Sequence, residues 1–97
     1  MKILAIEKEQ KVVDWANESE TLEREAREVY RQIKGGCIRE IYFTDMNSAV
    51  LILECESITK AVELLNALPL VSKGLISFEF MELRPYNGFD RILKDGE

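Results

Sequence analysis

Apolar residues recur along the chain with two different periods, and the switches between them divide it into six elements. Residues 2–7 form a short apolar run around Ile3 and Ile6, which predicts a strand. A polar stretch over residues 8–19, carrying Val12, Val13 and Trp15, reads as a loop with room for one helical turn. From 21 to 34, Leu22, Ala26, Val29, Tyr30 and Ile33 return at helical spacing, supported by the (i, i+4) pairs Glu20–Arg24 and Glu23–Arg27. Gly35 and Gly36 then stop the helix, since glycine takes the left-handed conformation that closes a helix end.

Residues 37–44 are rich in Ile, Tyr and Phe, and residues 49–56 in Val, Ile and Leu. The turn formers Asp45, Met46, Asn47 and Ser48 between them predict a β-hairpin. Ser57 is the expected N-cap of a second helix reaching Leu68, with the stripe Ile58, Ala61, Val62, Leu65 and Leu68, and Pro69 is expected to end it. A last strand is expected over 75–84, and after Pro85, Asn87 and Gly88 a final helical turn over 89–93. The order βαββαβ is that of the ferredoxin-like α+β fold, a four-stranded antiparallel sheet with two helices on one face.

Neighbouring strand residues point to opposite faces, so parity sorts them. Leu4, Ile6, Ile41, Phe43, Leu51, Leu53, Phe78 and Phe80 make a wholly apolar set, assigned to the helical layer. The other set is mixed: Ile3, Ala5, Glu7, Glu40, Tyr42, Val50, Ile52, Glu54, Ser77, Glu79 and Met81. A face washed by solvent would be mostly polar, so a second sheet from a twofold partner is expected to cover this one.

At 97 residues the chain has room for one domain, residues 1–97. Its net charge of -5 disfavours a phosphate backbone as partner, and the absence of histidine removes the imidazole-based haem, zinc and Ser-His-Asp chemistries. The opening residues lack a signal-peptide core and the longest apolar run, 49–53, is far short of a membrane span, so a cytoplasmic protein is expected. Cys37 and Cys55 have no CxxC spacing and read as free thiols, and neither a metal nor an organic cofactor is expected.

Several segments resemble muconolactone isomerase-like proteins of the dimeric α+β barrel superfamily. They are Arg39 to Phe43, Ala49 to Cys55, Leu68 to Val71 with Gly74 to Ile76, and Pro85 to Phe89, within residues 20–93. The resemblance implies a homodimer that can build larger rings of dimers. It also implies a cofactor-free shift of a double bond in a small lactone or organic acid by proton transfer. Residues 8–19 have no counterpart in that enzyme family.

The glutamates of the mixed face are the candidate chemistry. Glu40 and Glu54 fall opposite or diagonal across the hairpin, where like charges raise the pKa of one carboxyl and fit it for moving a proton. Tyr42 is placed to stabilise a developing enolate, and Ser77 beside Glu79 to orient a substrate carbonyl. Arg39, Arg84 and Arg91 are candidate clamps for a substrate carboxylate, with Arg39 the first choice. The plainer alternative puts the glutamates and arginines at a solvated rim as ion pairs, in a dimer that binds a small ligand without catalysis. Trp15 is either a lid on the pocket mouth or a cap on the helical layer, with capping favoured.

Overall fold

The computed structural model describes residues 1–93. Its elements are β1 (Lys2–Glu9), α1 (Ser19–Lys34), β2 (Ile38–Phe43), β3 (Ala49–Glu54), α2 (Ile58–Asn66), α3 (Pro69–Ser72) and β4 (Ile76–Leu83). Single 3-10 turns lie at Trp15–Asn17 and Gly88–Arg91. The strands form one antiparallel sheet in the order β2-β3-β1-β4, which is the ferredoxin-like α+β arrangement.

Local chemistry sets the element ends. Gly36 sits at φ 87° behind α1, and Asn47 takes φ 59° in the hairpin turn, where the Thr44 N–H donates to the Ser48 carbonyl at 2.9 Å. Ser57 caps α2 by accepting from the Lys60 N–H at 3.0 Å. Pro69 has two roles: α2 stops before it, and its ring, which lacks an N–H, starts α3. The helix expected to reach Leu68 is α2, which ends at Asn66, and α3 is a further short helix that the sequence reading did not include.

The sequence-based face assignment fails for β1. Ile3 and Ala5 are fully buried on the helix side, opposite Leu53 and Leu51 of β3, whereas Leu4 and Ile6 lie half-buried on the open side. Glu7 goes with Ile3 and Ala5 into the helical layer, opposite Phe78. The reason is that β1 is a central strand, apolar on both faces over residues 3–6, so parity there has no contrast to read. The assignments for β2, β3 and β4 hold. The core between sheet and helices is built on Ile3, Ile38, Leu51, Leu53, Leu65 and Leu68. Among the described residues no helix is long and apolar enough to cross a membrane.

Candidate functional site

The first half of α1 is tied to α3. Lys73 donates to the Glu18 carboxylate at 2.7 Å and to the Thr21 hydroxyl at 3.1 Å, and the Leu70 N–H donates to Glu25 Oε1 at 2.9 Å. The Lys73 hydrogen bond holds the Glu18 carboxyl below its ordinary range. Between α1, α3 and the sheet this leaves a cavity of about 290 Å³. Leu22, Ala26 and Val29 of α1 form its roof, Ile41, Leu51 and Phe78 are central to its floor, and Leu68 and Leu70 close one end. Such a volume sits at the small end of natural ligand sites, and the mix of apolar walls with few polar groups is typical of them.

Two carboxyls enter this cavity, Glu7 from β1 and Glu25 from α1. Glu7 Oε1 accepts from the Ala49 N–H at 3.0 Å and so joins β1 to the start of β3. Burial pushes the Glu25 carboxyl above its ordinary value, the Leu70 N–H pulls it partly back, and the charges of Glu7 and Glu28 raise it further. A carboxyl of this kind can hold a proton closer to neutrality than a surface glutamate can.

A second hollow of about 370 Å³ adjoins the cavity and shares Glu7, Leu22, Phe43 and Leu70 with it. Trp15, Glu9, Met46 and Asn47 complete its wall. The 3-10 turn that carries Trp15 is fixed by Asp14, whose carboxylate accepts from the Ala16 N–H at 3.3 Å and from Asn17 Nδ2 at 2.7 Å. Trp15 packs beside Leu70, Leu75 and Ile76 as a cap on the layer, and it also lines the adjoining hollow.

Neither the family models nor the curated proteins offer a match to this chain. Its chemistry is therefore read from its own residues.

The glutamates singled out in the sequence lie elsewhere, on the open face of the sheet. Glu40 is opposite Ile52 in the register, which places Glu54 diagonal to it, as expected for this hairpin. Glu40 Oε1 accepts from the Tyr42 hydroxyl at 2.8 Å, and this bond together with the Glu40 charge raises the Tyr42 pKa. Tyr42 is 58% exposed. Glu54 pairs with the N-terminal amine at 3.2 Å and Glu79 with Lys8 at 3.0 Å, while the Ser77 hydroxyl accepts from Gln10 Nε2 at 2.6 Å. Glu54 also lines a broad groove of about 540 Å³ with Lys2 and Arg84. That groove exceeds the helix-side cavity in volume, but its charged rim is mixed in sign and partly paired, Arg84 with Glu82 at 3.3 Å.

The arginines do not converge. Arg39 Nε donates to the Gly36 carbonyl at 2.6 Å, Arg84 pairs with Glu82, and Arg91 lies in the last 3-10 turn. Cys37 and Cys55 are free thiols close to one another. Burial, with the neighbouring Cys37, pushes the Cys55 thiol up, which is the opposite of activation. Among the described residues no group of three or more Cys, Asp or Glu is disposed to hold a metal ion.

Glu25 was overlooked in the sequence because it reads as one of many alternating charges on α1. A signal was present: Leu22, Glu25, Ala26 and Val29 fall at i, i+3, i+4 and i+7, so Glu25 is a charge set inside the apolar stripe.

Proposed function

We propose that this chain is a small-molecule-binding α+β protein whose ligand lies between α1 and the sheet. One observation carries the reading: a largely apolar cavity of about 290 Å³ is lined by two glutamates and adjoins a hollow walled by a tryptophan. Binding is tested with Ala26→Phe, which places a ring in the roof of the cavity at an exposed position outside the core. The variant should keep the wild-type melting temperature and lose binding of small apolar compounds followed by Trp15 fluorescence. Unchanged binding would place the ligand elsewhere.

The raised Glu25 carboxyl favours a second reading, cofactor-free proton transfer on a small lactone or enol, in keeping with the resemblance to muconolactone isomerase-like proteins. In that case Glu25 moves the proton, its carboxyl raised first by burial and then by the charge of Glu7. A role for Glu40, Tyr42 and Glu54 instead needs the open face to be covered. That face carries half-buried Leu4, Ile6, Val50 and Ile52 beside Met81, with charges of both signs from Lys2, Lys8, Glu40, Glu54 and Glu79. An apolar strip with a rim of mixed sign is self-complementary under a twofold axis, which supports a homodimer packed sheet to sheet.

A further inference from the structure

We infer that the ligand of the helix-side cavity is an organic cation, an ammonium group on a short apolar body; this rests on the cavity being a ligand site. Glu7 and Glu25 each commit one oxygen to a backbone N–H, of Ala49 and Leu70 respectively, and keep the second for a ligand. Among the described residues no lysine or arginine lines the cavity or its outer hollow, where Glu9 adds a third carboxyl. Lys8, the nearest cation in sequence to Glu7, is directed to the opposite face of the sheet and paired with Glu79.

Carboxylates placed among apolar side chains without a counter-charge lose hydration and repel each other. An ammonium ion entering between them restores both terms through charge-assisted hydrogen bonds. The aromatic rings point the same way. Phe43 and Phe78 in the walls, with Trp15 in the adjoining hollow, supply aromatic rings of the kind that attract a cation. A carboxylate ligand would add a third negative charge to the same space and gain none of these contacts. The apolar roof of Leu22, Ala26 and Val29 suits an alkyl or cycloalkyl body.

The test uses three probes of one shape, n-hexylamine, n-hexanol and hexanoate, titrated into the intact wild-type protein at neutral pH by calorimetry and Trp15 fluorescence. The amine should bind about tenfold or more tighter than the alcohol, with hexanoate weakest. Alcohol or hexanoate binding as tightly as the amine would overturn the cation inference and leave the cavity a ligand site. Absence of binding by all three would overturn both. Glu25→Gln and Glu7→Gln, made singly, should each erase most of the preference for amine over alcohol while hexanol still binds. An undiminished preference in both folded variants would also overturn the inference.

Discussion

Glu25→Gln should make this protein more stable near neutral pH, although it removes a hydrogen-bonded side chain. Gln retains an oxygen that can accept from the Leu70 N–H, now at 2.9 Å, so the tie between α1 and α3 survives. What disappears is the charge, which is disfavoured by burial and by the charges of Glu7 and Glu28. Replacing a buried ion pair by well-packed apolar groups gains at most about 1–4 kcal/mol in other proteins, which bounds what removing one buried charge can give. Glu25 keeps part of its solvent contact, so screening reduces the expected gain to about 0.5–1 kcal/mol. For a chain of this size that corresponds to a melting temperature higher by about 2–8 °C. The sign depends on pH in a defined way. A carboxyl whose folded pKa lies above its unfolded value of 4.5 binds extra protons when folded, so wild-type stability falls as pH rises through the interval between the two. The advantage of Gln is therefore absent at about pH 4, grows above 4.5 and is complete once the folded carboxyl has ionised. Thermal unfolding followed by circular dichroism across that range measures it. A destabilised variant at neutral pH, or a gain equally large at about pH 4, would show that Glu25 is not a desolvated carboxyl and that the cavity is wet.

The inverted first strand gives a paired test: Ile3→Ala should cost about 3 kcal/mol in denaturant unfolding and Leu4→Ala about 1, because Ile3 is fully buried in the helical layer and Leu4 faces the open side. The opposite ranking would restore the parity read from sequence. Ile52→Asp puts a charge into the proposed sheet-to-sheet contact and should convert a dimer to a monomer in light scattering, whereas a monomeric wild type would refute that contact. Glu40→Gln and Tyr42→Phe, which break the 2.8 Å bond between these side chains, should leave ligand binding in the cavity within about twofold of wild type. A large loss in either would return the site to the open face.

Element order and the hairpin were legible because their signals are local: the glycine pair after α1, the turn formers around Asn47 and the Ser57 cap each act within a few residues. The face of β1 was not, since Ile3 to Ile6 are all apolar and only the partners Leu53 and Leu51 decide which side is buried. That one inversion moved Glu7 from the open sheet to the cavity, which Glu25 also lines. Pro69 ends α2 as read, but that it also starts α3, which Leu70 and Lys73 tie to α1 and to Glu18 just before it, was not read. The pairings of Glu54 with the chain's own amine and Glu79 with Lys8 are long-range or cross-strand events that spacing along one strand does not reveal.

A crystal of the protein under xenon pressure tests the cavity most directly, because its apolar part, away from the two carboxyls, is the kind of surface that takes up the gas. The account predicts a xenon site bounded by Val29, Leu51, Leu68 and Phe78. Those four side chains found collapsed on one another, with xenon absent from between α1 and the sheet, would contradict it.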